Sequence, residues 1–194
     1  MIEVRVLSGA DITTCQDAIA ALRLAVFRDW PYLYDGNLDY ERQYVASYRD
    51  HPGALLVGAF LNGRLVGAST STPMEDLSAE FAASFTVLGI PRDHVLWGPE
   101  SALLPEWRGQ GIGHHFFALR EAHARALQRT HVAFASILRP DSHPARPAGA
   151  RTNDAFWRRQ GYAPLEGATV QFAWKDVGST DETFKPLQVW MKAL

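Results

Sequence analysis

Residues 95–113 read VLWGPESALLPEWRGQGIG. The first ten have the apolar pattern of a strand. Pro99 interrupts it, and with no N–H to give to a ladder it predicts a bulge or irregular pairing there. From about Gly111 to Arg129 the residues Ile112, Phe116, Leu119, His123 and Ala126 recur on one stripe at helical spacing. VAFASIL, 132–138, is a continuous apolar run and reads as a buried strand. Strand, helix and strand form a βαβ unit, whose two strands run parallel.

Between the first strand and the helix lies RGQGIG, Arg108 to Gly113. Glycines let the backbone come close to a ligand and leave its amides unobstructed. The helix start adds unpaired N–H groups and the positive end of a dipole. Together these make an anion site suited to a pyrophosphate, with Arg108 adding charge at its mouth. A Walker A loop needs Lys-Ser or Lys-Thr where His114-His115 stand here. The dinucleotide fingerprint needs G-x-G-x-x-G at an early turn, whereas this turn reads G-x-G-x-G in mid-chain. The pattern alone also admits a tight turn with no ligand.

Residues 2–7 alternate as a strand. Asp11 or Thr13 is expected to cap a helix through about Arg28, with Ile19, Leu22 and Val26 inward. Pro31 breaks it, and a second helix is expected from about Leu38 to Arg49. ALLVGAF (54–60) and RLVGAST (64–70) flank Asn62-Gly63, a strong hairpin signal because both turn residues tolerate positive φ. Residues 76–88 look helical. Beyond the βαβ unit come a proline-rich loop at 139–149 and a short helix over 152–160 that stops at Gly161. Strands at 168–175 and 187–193 close the chain, with a long polar loop expected between them. The class is α+β: a mixed, mostly antiparallel central sheet with one parallel βαβ unit, flanked by helices.

The whole chain of 194 residues is expected to form one domain, and 47% apolar with 21% charged residues is a globular composition. A net charge of −2 argues against a general nucleic-acid binder. No apolar run approaches a membrane span, and MIEVRVLSGADITT lacks a signal pattern. The single Cys15 has no internal disulfide partner, so a cytoplasmic setting is expected. His114 and His115 have neither metal spacing nor an acidic partner, and no metal is expected.

Leu103 to Gly113, LLPEWRGQGIG, resembles the acyl-CoA-binding signature of the GNAT superfamily of N-acyltransferases. Arg108, Gly111 and Gly113 fill the Arg-or-Gln, x, x, Gly, x, Gly-or-Ala pattern. The hairpin before it, the strand after it and FWRRQGY (156–162) agree with the family's order of elements. The resemblance implies that the strand carrying Glu100–Leu104 splays from the strand at 132–138. Pantetheine of acetyl-CoA would lie in the gap, beside Leu103 and Leu104. The amides of Gly109, Gln110, Gly111, Ile112 and Gly113 would hold its pyrophosphate. It implies transfer of an acetyl group to a primary amine of a small molecule or peptide.

That reaction needs a base, because an alkylammonium has a pKa near 10. Glu100, an acid in an apolar strand, is the candidate; the other reading is a carboxylate satisfied by a neighbouring Arg or Ser. The family's usual general acid is a Tyr, and Trp157 stands at that position. This departure keeps open a CoA-binding, acyl-sensing protein without efficient catalysis. His143, in the loop after the strand at 132–138, is a second candidate acid or base, or else an ordinary surface residue. Asn153 is a candidate cofactor contact or a helix cap, and Phe156 a candidate pantetheine contact or core. Tyr32, Tyr34 and Asp35 combine rings and acid as a cationic amine would require. The aromatic C-terminal strands admit a homodimer face.

Overall fold

The computed structural model describes residues 2–78, Phe85 and 89–194. Seven strands, β1 (Ile2–Val6), β2 (Leu55–Leu61), β3 (Arg64–Pro73), β4 (Val95–Leu103), β5 (His131–Ile137), β6 (Ala163–Lys175) and β7 (Glu182–Ala193), form one sheet in the order β1-β2-β3-β4-β5-β7-β6. Four helices, α1 (Gly9–Phe27), α2 (Leu38–Ala46), α3 (Ile112–Ala126) and α4 (Asp154–Arg159), accompany it among the described residues. All strand pairs are antiparallel except β4–β5, so the expected mixed sheet with one βαβ unit is the fold observed. The helix expected over 76–88 lies mostly outside the described residues. No helix among those described is long and apolar enough to cross a membrane.

The apolar run in β2 follows from burial on both faces. Leu56 and Phe60 pack with Ile19, Leu22 and Phe27 of α1, whereas Leu55, Val57 and Ala59 pack with Ile112 and Phe116 of α3. Successive side chains of a strand point to opposite faces, so a strand between two helical layers must be apolar throughout. Each such side chain contributes roughly 1.5–3 kcal/mol when fully buried.

Several details differ from the sequence reading. The cap of α1 is Ser8. Its hydroxyl accepts from the Asp11 N–H at 3.2 Å, while Asp11 accepts from the Ser8 N–H at 2.9 Å. Asp11 is therefore the reciprocal partner in a capping box and not the cap itself. On α3, Phe117, Arg120, Glu121 and Ala124 are buried while Ala126 is exposed, because the helix is wedged against the sheet on more than one stripe. The long polar loop before the last strand is a short connection, 176–181. β7 begins at Glu182 and includes Pro186, which lies opposite Gln171 of the edge strand β6 and whose carbonyl accepts from the Leu138 N–H at 2.9 Å. Half of an edge hairpin faces water, so its polar residues resemble a loop. A register shift between Pro164 and Thr169 hides the start of β6 in the same way.

Candidate active site

The parallel pair is short. Val95, Leu96 and Trp97 pair with His131, Val132 and Ala133, and there the pairing stops. β5 continues to Ile137 against β7 alone, while β4 continues to Leu103 against β3 alone. Opposite β3 the register shifts as well: Thr72 faces Trp97 and Thr70 faces Glu100, so Gly98 and Pro99 bulge against Ser71. The expected irregularity at Pro99 and the expected splay are one structural event.

The buried guanidinium of Arg120, on α3, holds this bulge from beneath. It donates to the Glu100 carbonyl at 2.9 Å, the Thr70 carbonyl at 3.2 Å, and the hydroxyls of Ser69 (2.7 Å), Ser71 (3.0 Å) and Ser101 (3.0 Å). A Cβ on Gly98 would stand 2.6 Å from the Arg120 guanidinium carbon, so only glycine leaves room. Burial lowers the pKa of Arg120, and five neutral acceptors are what keep the charge tolerable there.

At the far end of β4 the chain turns into α3. Leu103 pairs with Gly67, and the Leu104 N–H donates to the Val66 carbonyl at 3.1 Å. Arg108 Nε donates to the Leu103 carbonyl at 3.2 Å, and Gln110 donates to the Glu106 carbonyl at 3.3 Å. Gly109 and Gly111 have φ of 76° and 84°, which a side chain would strain, and a Cβ on either would meet nothing within 4 Å. Among the described residues no protein acceptor takes the N–H groups of 109–113. Gly111 caps α3, so these donors sit at the positive end of a fifteen-residue helix. Open donors, positive φ and a helix start fit a pyrophosphate.

Glu100 enters a buried ion-pair chain. Its carboxylate pairs with Arg23 of α1, and Arg23 also pairs with Glu41 of α2, which is fully buried. Tyr34 donates to Glu41 at 2.8 Å, and the Arg23 guanidinium lies 4.0 Å from the centre of the Tyr44 ring. Burial and the Glu41 carboxylate push the Tyr34 phenol above its ordinary pKa, so it stays a donor. One guanidinium thus serves two carboxylates.

A cleft of about 1000 Å³ opens from the parting of the strands toward the segment between α1 and α2. Pro99 and Glu100 of β4 and Ala135 of β5 line its base, and Tyr32, Tyr34 and Asp35 line its wall. The four residues expected at the acceptor end are therefore brought together. The wall is fastened by Arg139, which makes two bonds to Asp176, at 2.8 and 2.9 Å, and donates to the carbonyls of Pro31 (3.0 Å) and Tyr32 (2.8 Å). Asp35 pairs with Lys175 at 2.8 Å and Arg28 at 3.0 Å, which lower its pKa. Arg23, Arg120, Arg139 and Asp176 are not in the sequence reading. Arg23 and Arg120 did leave a signal, since each sits one turn beyond a core residue, Ile19 and Phe116, on an apolar helix face.

The other candidates lie elsewhere. His143 does not line this cleft; its ring lies 5.3 Å from that of Trp30 and its Nδ1 accepts from the Ala145 N–H at 3.2 Å. Asn153 stands exposed at the start of α4, and its side chain makes no cap bond. Phe156 packs on Phe117 at 5.5 Å and His114 at 5.2 Å, over Gly113, where a Cβ would come 3.1 Å from the ring. Trp157 packs against Phe134 and Trp190, at 5.1 and 5.0 Å between ring centres.

A sheet that parts beside a glycine turn defines an acyl-CoA N-acyltransferase fold. The family model described as Acetyltransferase (GNAT) family matches residues 19–162, and the chain belongs to that family. No curated protein sequence matches the chain. Among solved structures, the ribosomal-protein-alanine N-acetyltransferase of Brucella melitensis is similar, at 18% identity and a TM-score of 0.60 over 99% of both chains. So is yncA of Salmonella typhimurium with its cofactor acetyl-CoA, at 12% identity and a TM-score of 0.60 over 100% of this chain and 94% of that one. An aminoglycoside 6'-N-acetyltransferase complexed with coenzyme A shares 13% identity, with a TM-score of 0.63 over 98% and 96%. Likeness at such identities concerns the fold; acyl transfer is the chemistry of the family.

Proposed function

We propose that this protein transfers the acetyl group of acetyl-CoA to a primary amine where β4 and β5 part. The observation that carries this reading is that β4 supplies both ends of the site. Its first residues past the parting, Pro99 and Glu100, line the cleft, and its last lead into the open donors of 109–113. The turn holds the pyrophosphate, with Arg108 at its mouth, and Leu103 and Leu104 flank the pantetheine. Asn153 and Phe156 border the same end of the molecule.

In the cleft, Glu100 takes the proton of the incoming ammonium, directly or through a water, because the charged form has no lone pair to attack with. Arg23 lies between Glu100 and Glu41, so a single guanidinium orients the Glu100 carboxylate at the base of the cleft. The amine nitrogen forms the new C–N bond, the C–S bond breaks, and the thiolate leaves. A thiolate whose thiol has a pKa of about 8.5 leaves without an obligatory acid. This accords with Trp157, a core residue, at the family's usual Tyr position. Tyr32, Tyr34 and Asp35 border the acceptor, and His143 takes no part. A cytoplasmic setting accords with the single free Cys15.

The test is thiol release from acetyl-CoA with a panel of primary amines. Wild type is expected to turn over, and Glu100→Gln to lower kcat on the order of 10²–10⁴-fold. An unchanged kcat in the variant removes Glu100 as the base. Absence of turnover with every amine removes the transferase reading.

A further inference from the structure

The cleft differs from one built for a polycation. Among the described residues, nine of its lining side chains are aromatic, and its lining carboxylates, Asp35, Glu100 and Glu182, outnumber its cations, Arg23 and Lys175, by a single charge. Asp35 pairs with Arg28 and Lys175, and Glu182 stands opposite Lys175 in the β6–β7 pairing, so these two carboxylates are matched by those two cations. The Arg139–Asp176–Lys185 group does not line the cleft, and Lys185 stands 5.1 Å over the Trp174 ring. The unbalanced charge therefore falls on the Glu41–Arg23–Glu100 chain at the base.

The walls are continuous rings. Phe27, Tyr32 and Trp174 follow one another at 5.0 and 6.2 Å between centres, edge-to-face and then tilted. Tyr44 and Tyr48 meet at 5.3 Å, with their hydroxyls 2.8 Å apart and so engaged with each other. Burial pushes the Tyr48 phenol up and the Tyr32 phenol to about 12, so neither supplies a negative charge. Such walls pack well on a planar apolar body and offer few partners to hydroxyls or to a second ammonium, which would then be desolvated without a counter-ion.

We infer that the acceptor is a monocationic amine carrying an aromatic or similarly planar apolar body, its ammonium directed to Glu100 and its ring seated between the Tyr32 and Tyr48 walls. This inference rests on the amine-acetyltransferase reading above and narrows it. Polyamines and aminoglycosides are excluded as preferred acceptors by the same charge count.

The experiment measures kcat/KM for 2-phenylethylamine, tryptamine, butylamine, spermidine, kanamycin and a short peptide with a free N-terminus, with products identified by mass. Thermal shift with acetyl-CoA is measured in parallel. The two aromatic monoamines are expected to exceed butylamine and spermidine by about tenfold or more, the effect of burying a ring in a matching pocket. Phe172, half exposed on the cleft rim, gives a second handle. Phe172→Lys is expected to raise the KM for 2-phenylethylamine by about tenfold through like-charge repulsion, with the KM for acetyl-CoA held. Preferred acetylation of spermidine, kanamycin or the peptide overturns the inference and leaves the transferase reading standing. A thermal shift with acetyl-CoA but no acetylated product from any amine overturns both.

Discussion

The guanidinium carbon of Arg120 lies 2.6 Å from the point where a Cβ on Gly98 would stand. A strand glycine and a helix arginine are thus interlocked at the residue where β4 leaves β5. The arginine uses that space to hold the Glu100 carbonyl at 2.9 Å. Gly98→Ala is expected to destabilise the protein by about 1–3 kcal/mol, the cost of overpacking a filled interior. Denaturant unfolding checks this, and an unchanged midpoint would show that Arg120 can move aside.

Arg23 lies between two carboxylates, one of them fully buried. Arg23→Met leaves Glu41 without its counter-ion and is expected to cost about 3–5 kcal/mol. Arg23→Met combined with Glu41→Met is expected to recover part of that loss, because the buried charge is then gone as well. Equal stability of the single and double variants would contradict the coupling.

The cleft wall has its own pH dependence. Burial alone would raise the pKa of Asp176, but the Arg139 hydrogen bonds and charge outweigh it and hold the carboxyl below its ordinary value. A depressed folded-state value contributes stability that is present above the ordinary carboxylate pKa of about 3.9 and is lost as pH falls below it. Amide protection of Asp35 and Val177, which donate to the Lys175 and Leu33 carbonyls, is expected to fall in that acid range ahead of the core strands. Asp176→Asn is expected to show the same loss at neutral pH. Protection that follows global unfolding throughout would contradict this.

Much of this was legible in local sequence. Asn62-Gly63 marks the hairpin, Pro99 the bulge, and the spacing of glycines after Arg108 the turn, because each reports a backbone requirement met within a few residues. Glu100, Tyr32, Tyr34 and Asp35 were legible as types suited to the chemistry, and the fold brings them to one cleft. The ion pairs were not legible. Arg139 and Asp176 lie 37 residues apart and meet only because β6 returns past the α1–α2 segment. Glu41 is one of several acids near the α1–α2 connection, and only the packing of α2 on α1 makes it a buried partner of Arg23. His143 was singled out for being next to a strand end, and its loop carries it onto Trp30 instead.

Acetyl-CoA is expected to seat on the turn at 108–113, beside the parting of β4 and β5. Calorimetric titration with acetyl-CoA, on wild type and on Gly111→Glu, tests it most directly. The Cβ at Gly111 meets nothing within 4 Å, so the substitution is expected to add only backbone strain of about 1–2 kcal/mol and leave the fold intact while placing a carboxylate among the donors. Saturable binding of one acetyl-CoA per wild-type chain is expected, and its loss in the folded variant. Binding of equal strength by both proteins, or none by wild type at millimolar acetyl-CoA, would contradict it.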